Sequence, residues 1–289
     1  VQLLDRPIAG DSHAGAGLAV LQAEAVIAGA AEAVELGEDR LLRLELAQED
    51  DVVAADLGGA VERPLRPWRD KVHVIPIGIT DNRPVACSVK GDALRQRFGQ
   101  RRIIFSLGRM TYYKGFDVLI EAAARLPDEC VVLIGGDGEL LPAFRDLVAA
   151  RGLTDKVHLL GHVRAGDLPS QVEACDVFCM PSTVRAEAYG VAMVEAMVMG
   201  KPIVATDIAG SGVPWVNQHG RTGLNVPVRD PGALADALHR LLADADLRDR
   251  MGQAARQRYE AEFHAELMAQ RMLELYRQEV ASVRGHAGQ

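Results

Sequence analysis

The chain has 289 residues, a net charge of −8 and a hydrophobic content of 48%. This length is enough for one large domain or two ordinary ones, and the apolar content allows a sizeable core. No apolar run approaches the roughly 20 residues of a membrane-spanning helix, and the first residues lack the features of a signal peptide. Basic runs are absent and aromatic residues are sparse, so we expect no nucleic-acid partner.

The acidic charge is concentrated in residues 1–70, which contain 14 acidic and 6 basic side chains, whereas the rest of the chain carries 26 of each. Residues 1–67 contain no Lys, Asn, Thr, Met, Cys, Phe or Tyr. Such a composition fits a solvated helical tail, a disordered region or a stretch translated from a frame that encodes no native domain. It favours the last two. We therefore treat 1–70 as an atypical acidic segment rich in Ala and Gly.

From Lys71 onwards, short apolar strands alternate with helices. Strands are predicted at Val72–Pro76, Arg102–Leu107, Cys130–Ile134, Val157–Leu160, Val177–Met180, Pro202–Thr206 and Leu224–Val226. Helices are predicted at Phe116–Leu126, Glu139–Arg151, Asp167–Ala174, 188–199, Pro231–Ala243, Ala245–Phe263 and Ala265–Val280. This alternation predicts an α/β fold with a doubly wound parallel sheet. We assign it to 71–263, followed by a C-terminal helix and tail over 264–289.

Polar or glycine-rich loops follow the predicted strands. They begin at Arg109, Gly136, His162, Ser182 and Asp207. Because ligands of such sheets bind at the carboxyl ends of the strands, these loops predict one binding site at one edge. A lone histidine such as His162 is more often structural than functional. No set of histidines and carboxylates has the spacing of a metal site.

Two cations stand at the mouth of a predicted helix. Arg109 follows a buried strand, and Lys114 lies five residues further on. An Arg fork and a Lys point charge can clamp a diphosphate from two sides, although Lys114 also fits a solvated lysine of a first helical turn. The nearby glycine-rich loop at 135–138 is not a dinucleotide fingerprint, because Leu141 stands where a third glycine is needed. A tight turn beside a ligand is favoured there.

Two carboxylates, Glu187 and Glu195, flank the start of another predicted helix. At ~1.5 Å per residue they lie about 12 Å apart along the axis. A carboxylate at a helix mouth suits hydroxyl groups or a cation, and the free backbone amides suit an anion. The spacing fits an extended ligand with a sugar, a phosphate and a ribose. Two solvated helix carboxylates are the alternative.

Three motifs occur in order: Gly-Arg-x4-Lys-Gly at 108–115, Gly-Gly-Asp-Gly at 135–138, and Glu-x7-Glu at 187–195. Together they resemble the donor-binding C-terminal half of a family 4 (group 1) retaining glycosyltransferase of the GT-B type, over about 71–280. The stretch 210–217 resembles a branch that acts in bacterial surface polysaccharide assembly, where mannose-type donors are common. The acidic N-terminal segment does not resemble the acceptor-binding domain of that family.

The resemblance implies roles for individual residues. The implied catalytic residues are Arg109 and Lys114, which would hold the donor diphosphate and stabilise its departure, and Glu187, which would bind hydroxyls of the donor sugar. Glu195 would take the ribose hydroxyls, and the loop at His162 and Val163 would pack on the nucleobase. The implied donor-binding residues are Gly108, Gly136, Val163, Ala188, Tyr189, Gly190, Val191 and Glu195.

The resemblance thus implies transfer of a mannose-like hexose, with retention, from a nucleotide-diphosphate sugar to a glycan or lipid-linked acceptor. It implies no cofactor and no metal. The cysteines form no Cys-x-x-Cys pair, and Cys130, Cys175 and Cys179 lie in or beside apolar runs, which favours a cytoplasmic protein with reduced core cysteines. Peripheral association with the inner face of a membrane stays open. The alternative function is a nucleotide-sugar-binding module that lacks the acceptor domain and is catalytically incomplete.

Overall fold

The computed structural model describes residues 73–83 and 88–286. The predictions for residues 1–70 fall outside these ranges, and so does Cys87. Cys130, Cys175 and Cys179 are buried and free, as expected. The strand predicted at Val72–Pro76 is wrong for its described part, because residues 73–78 have no regular structure. Pro76 has no N–H to donate to a neighbouring strand.

A parallel six-stranded sheet forms the centre of the described chain, with the strand order β3-β2-β1-β4-β5-β6. This confirms the predicted doubly wound α/β architecture. Its strands are β1 (Arg102–Leu107), β2 (Cys130–Gly135), β3 (Val157–Gly161), β4 (Val177–Met180), β5 (Ile203–Asp207) and β6 (Gly223–Pro227). In register, Ile104 pairs with both Val132 of β2 and Val177 of β4. The chain therefore reverses its direction of winding between β1 and β4, and this switch point opens a crevice at the carboxyl ends of the strands.

Helices cover both faces of the sheet. They are α1 (Ser88–Phe98), α2 (Phe116–Ala123), α3 (Leu141–Ala150), α4 (Leu168–Ala174), α5 (Val191–Val198), α6 (Val213–Val216), α7 (Pro231–Ala243), α8 (Ala245–Arg258) and α9 (Ala265–His286). A 3-10 turn at Tyr112–Lys114 precedes α2, and a π-helical turn at Tyr259–Phe263 separates α8 from α9. None of the helices in the described ranges combines the length and the apolarity needed to cross a bilayer.

The sheet separates two apolar layers, and alternate residues of each strand point into them. One layer includes Ile104, Leu119, Val132, Leu238 and Leu241. The other includes Phe105, Phe178, Val194, Met197 and Tyr259. All of these side chains are fully buried, and each contributes about 1.5–3 kcal/mol of hydrophobic stabilisation. The continuous apolar strands seen in the sequence are explained by this burial on both faces.

Two helices have no counterpart among the predicted elements. The α1 sequence is polar, and it is held through buried Phe98 and half-buried Leu94, so tertiary packing rather than an apolar stripe accounts for it. The α6 helix has four residues, too few for a periodic signal. The α5 helix begins later than predicted, because Gly190 before it adopts a left-handed conformation with φ 82°.

The segment 77–79 is joined to the start of α9. The N–H of Ile79 donates to the carbonyl of Phe263 at 2.9 Å, and the N–H of Ala265 donates to the carbonyl of Ile79 at 3.0 Å. Further along α9, Leu273 and Tyr276 are exposed. The exposed surface of α9 therefore includes large apolar side chains.

Candidate functional site

An ion pair lies at the switch point of the sheet. The Nζ of Lys114, in the turn after β1, is 2.6 Å from Oε2 of Glu187, in the loop after β4. The Glu187 side chain is 9% exposed and that of Lys114 is 16% exposed. The hydroxyl of Ser182 donates to the same Oε2 at 2.7 Å. A nearly buried carboxylate is therefore held by one ammonium group and one hydroxyl group.

Close backbone approach brings these two loops together. The N–H of Thr183 donates to the carbonyl of Tyr113 at 2.8 Å. Gly115 has φ 66°, and a Cβ there would lie 2.1 Å from the carbonyl oxygen of Pro181. A side chain at this position would separate the loops, so the glycine of the Gly-Arg-x4-Lys-Gly motif is needed for Lys114 to reach Glu187.

The glycine-rich loop after β2 packs on the loop after β1. A Cβ at Gly136, where φ is 137°, would lie 1.8 Å from the carbonyl oxygen of Gly108. The N–H of Met110 donates to the carbonyl of Asp137 at 2.8 Å. The aliphatic part of the Lys114 side chain packs over Gly108. A Cβ at Gly108 would lie 3.1 Å from Cδ of Lys114. The structure thus brings Gly108, Gly136 and Lys114 together, with Arg109 exposed beside them.

The N-terminus of α5 faces the same crevice, since α5 follows the loop that carries Glu187. The first amides of a helix have no acceptor within it and favour an anion. The carbonyl of Ala188 accepts from the N–H of Gly212 at 2.7 Å, which fixes the turn before the helix. Tyr189 directs its hydroxyl to the carbonyl of Ile77 at 3.0 Å. Its backbone, and not its phenol, therefore belongs to the mouth of α5.

Glu195 lies within α5 and is only partly accessible. Burial raises the pKa of its carboxyl group from 4.5 to about 7. No ion pair of Glu195 occurs within the described residues. A group with this pKa changes its charge near neutral pH, and it can exchange hydrogen bonds with hydroxyl groups in either state.

The loop after β3 contributes Val163. This side chain packs over Gly135, where a Cβ would lie 2.6 Å from Cγ2 of Val163. His162 in the same loop is exposed, and whether it is structural or functional stays a prediction. Within 73–83 and 88–286, no group of three His, Cys, Asp or Glu side chains could hold a metal. The expectation of a metal-free site stays a prediction.

Sequence reasoning missed the hydroxyl groups around Glu187. Ser182 lies two residues after the end of β4 and is fully buried. The hydroxyl of Ser211 donates to the carbonyl of Glu187. Ser182 was expected at the start of a loop of the predicted site, but no role was assigned to its hydroxyl group. The contact of Ser211 depends on the packing of two distant loops, which no spacing in the sequence reveals.

The sheet order and the loops at the switch point define a Rossmann-like α/β domain with a polar site at the carboxyl ends of its strands. The sequence profile of the family described as "Glycosyl transferases group 1" matches residues 93–258. This is more than half of the chain. The chain belongs to this family, and it is a glycosyltransferase by lineage.

Curated relatives give the same result. The chain is 35% identical over 202 residues to a D-rhamnosyltransferase, WbpZ, of Pseudomonas aeruginosa, covering 70% of this chain and 52% of that protein. It is 31% identical over 234 residues to the O-antigen chain mannosyltransferase C of Escherichia coli, covering 80% and 61%. The chain thus spans about half to three fifths of the length of these relatives.

Solved structures share the fold. A complex of Anabaena HepE with UDP and glucose superposes with a TM-score of 0.66 at 23% identity, over 71% of this chain and 57% of that one. Sucrose-phosphate synthase of Thermosynechococcus elongatus gives a TM-score of 0.65 at 28% identity, over 75% and 56%. The predicted resemblance to glycosyltransferases of the GT-B type is confirmed at the level of family and fold.

Proposed function

We propose that this chain carries the donor site of a glycosyltransferase that transfers a mannose-like hexose from a nucleotide-diphosphate sugar to a glycan or lipid-linked acceptor. The observation that carries the proposal is the Lys114–Glu187 pair beside the N-terminus of α5. It offers a cation and free amides for phosphate, and a carboxylate for sugar hydroxyls, within one crevice. The names of the mannosyl- and rhamnosyltransferase relatives support a hexose of this kind.

In this proposal, Lys114 and Arg109 bind the diphosphate, and the amides of residues 188–191 bind phosphate and sugar hydroxyls. Glu187 accepts hydrogen bonds from the sugar, and Glu195 from the ribose. Val163 packs on the base. The two cations are the main catalytic groups, because negative charge develops on the leaving diphosphate. Together they supply on the order of several kcal/mol of transition-state stabilisation.

We propose transfer with retention and without a metal. The acceptor oxygen forms a bond to the anomeric carbon as the bond from that carbon to the phosphate oxygen breaks, and the acceptor proton passes to the leaving diphosphate. No side chain of the crevice is required as a base in this scheme. We propose that the reaction takes place in the cytoplasm, where buried cysteines without disulfides, such as Cys130, Cys175 and Cys179, are common, with peripheral contact to the inner face of a membrane where the acceptor is lipid-linked.

The test is a transfer assay on the full chain. It is incubated with GDP-mannose or UDP-glucose and with mannosyl oligosaccharides, and the released nucleoside diphosphate is measured. The anomeric configuration of the product is read by proton NMR. We expect acceptor-dependent release with retention, and loss of release in Lys114→Ala. A product of inverted configuration would overturn the proposed stereochemistry.

A second candidate is a nucleotide-sugar-binding module that needs another domain or chain for the acceptor. The observation that favours it is that the match covers only about half to three fifths of the curated relatives. This candidate predicts donor binding without transfer in the same assay. Addition of a separate acceptor domain would then restore transfer.

A further inference from the structure

Hydroxyl groups from separate loops hold Glu187 by its side chain and by its main chain. We propose that Ser182 and Ser211 are positioning residues that fix the Glu187 carboxylate before a ligand binds, and so determine how much the sugar adds to donor affinity. This inference rests on the proposed function, in which Glu187 binds the sugar of the donor. It assigns to Ser182 and Ser211 a role that is separate from contact with the ligand.

The first restraint acts on the carboxylate. Oε2 of Glu187 accepts from the hydroxyl of Ser182 at 2.7 Å and from Nζ of Lys114 at 2.6 Å. An oxygen that accepts two such bonds cannot rotate away without losing both. Within 73–83 and 88–286, Oε1 of Glu187 has no hydrogen-bond partner. The orientation set by Oε2 therefore leaves the other oxygen for a ligand.

The second restraint acts on the backbone. The Ser211 hydroxyl, in the loop between β5 and α6, donates to the carbonyl of Glu187 and accepts from the N–H of Val213 at 3.1 Å. The N–H of Gly212 donates to the carbonyl of Ala188 at 2.7 Å. Residues 211–212 thus form two hydrogen bonds to the turn that carries Glu187 and restrain its backbone.

A third hydroxyl connects the site to the sheet. Thr206, near the end of β5, donates from Oγ1 to the carbonyl of Ser182. Ser182 is 0% exposed and Thr206 is 1% exposed. Buried hydroxyl groups are costly unless they are satisfied, and here their bonds converge on the turn of one carboxylate. A continuous series of hydrogen bonds therefore runs from β5 through Ser182 to Glu187.

Preorganisation has a measurable consequence. When the carboxylate is already fixed, binding of the sugar does not have to order the Glu187 side chain. The nucleotide sugar therefore binds more tightly than the nucleoside diphosphate alone. Without the Ser182 hydroxyl, the carboxylate is held through Lys114 alone. We therefore expect a selective loss of the affinity that the sugar adds, whereas the affinity for the nucleoside diphosphate, which depends on Lys114, Arg109 and the α5 amides, changes little.

The experiment is calorimetric titration of the full chain with GDP and GDP-mannose, and with UDP and UDP-glucose. Wild type, Ser182→Ala and Ser211→Ala are compared. We expect the ratio of the two dissociation constants, nucleotide over nucleotide sugar, to fall about fivefold in Ser182→Ala and by a smaller factor in Ser211→Ala, with the nucleotide constant itself unchanged within about twofold.

The matched control is Ser106→Ala. Ser106 is 1% exposed, and its hydroxyl donates to the carbonyl of Cys179 at 2.7 Å. The Ser106→Ala variant therefore removes a similar buried hydrogen bond that does not involve Glu187. We expect an unchanged ratio in this control. An unchanged ratio in both Ser182→Ala and Ser211→Ala would overturn this inference alone. Absence of nucleotide binding in wild type would overturn the proposed function, and this inference with it. If Ser182→Ala does not fold, the comparison of Ser211→Ala with wild type and Ser106→Ala tests the inference.

Discussion

Lys114 and Glu187 stabilise each other in the ligand-free protein, because each neutralises a charge that has little access to water. Removing one partner of such a pair leaves an unpaired buried charge, and this costs more than the pair itself contributes. The pair is therefore structural as well as functional. Its two roles can be separated, since stability is measured without ligand and affinity with it.

We expect Lys114→Ala to lower the free energy of unfolding by about 2–3 kcal/mol, measured by urea denaturation. The double variant Lys114→Ala/Glu187→Gln should be more stable than Lys114→Ala, because the neutral amide removes the unpaired charge. The control is Glu121→Ala, which breaks an ion pair with Arg151 in which the acid is 33% and the base 52% exposed, and which should change stability little. A double variant less stable than Lys114→Ala would contradict the argument.

Glu195 makes stability depend on pH. Burial raises the pKa of this carboxyl group from 4.5 to about 7, so the folded state binds a proton more tightly than the unfolded state. The stabilisation is complete below pH 4.5 and is lost as the pH rises to 7. At about 1.4 kcal/mol per pKa unit, the loss is on the order of 3 kcal/mol.

We expect Glu195→Gln to abolish this dependence. Urea denaturation of wild type and variant at several pH values between 4 and 8 provides the measurement. The variant should gain stability relative to wild type as the pH rises. A constant difference between the two proteins across this range would show that the Glu195 carboxyl group titrates normally.

Several residues of the site could be predicted from the sequence, because short motifs carry them. The Gly-Arg-x4-Lys-Gly spacing placed Lys114 after β1, and Glu187 was expected at a helix mouth. Their mutual ion pair was not predicted, since it joins loops 73 residues apart. The pKa of Glu195 likewise depends on what covers it, which one helix sequence does not define. Assignment of donor contacts to these residues stays a proposal.

At the scale of elements, the start of α5 couples backbone conformation to anion binding. Gly190 has φ 82° directly before the helix, and Gly200 has φ 63° shortly after it. Alanine at either position costs about 1–2 kcal/mol in the left-handed conformation. At Gly190 its Cβ would also lie 2.7 Å from the methyl of Met193, which must move.

We therefore expect both Gly190→Ala and Gly200→Ala to lower stability, Gly190→Ala by the larger amount because Met193 must also move, whereas only Gly190→Ala weakens nucleotide binding. The reason is that Gly190 orients the first amides of α5. Urea denaturation and calorimetric titration with GDP and UDP measure the two effects. Equal losses of affinity in both variants would show that the start of α5 has no special role.

The strands of the sheet were predictable because each is a continuous apolar run between glycine or polar residues. All six strands of the described sheet match predicted strands within one or two residues. The failures have local causes. The sequence of Val72–Pro76 has the apolar pattern of a strand, but its described residues, 73–76, pair with no strand of the described chain, and α1 lacks an apolar stripe. The start of α5 was shifted by the left-handed Gly190, and the end of α8 by the π-helical turn at Tyr259–Phe263.

At the scale of the whole molecule, the site draws on the loops after β1 to β5 and on the start of α5, all within 102–213. We expect deletion of residues 1–70 to leave the dissociation constant for GDP or UDP unchanged within about twofold. Titration of 71–289 beside the full chain provides the check. Markedly weaker binding by 71–289 would mean that the acidic segment contributes to the site.

The central claim is that Lys114 and Arg109 bind the diphosphate of a donor nucleotide. The most direct measurement is calorimetric titration of the full chain, of Lys114→Ala and of Arg109→Ala with GDP, UDP, GDP-mannose and UDP-glucose. We predict that wild type binds one nucleotide class, and that each variant loses about 1.5–3 kcal/mol of binding free energy. Wild-type affinity in both variants, or no binding of any of these nucleotides by wild type, would contradict the claim.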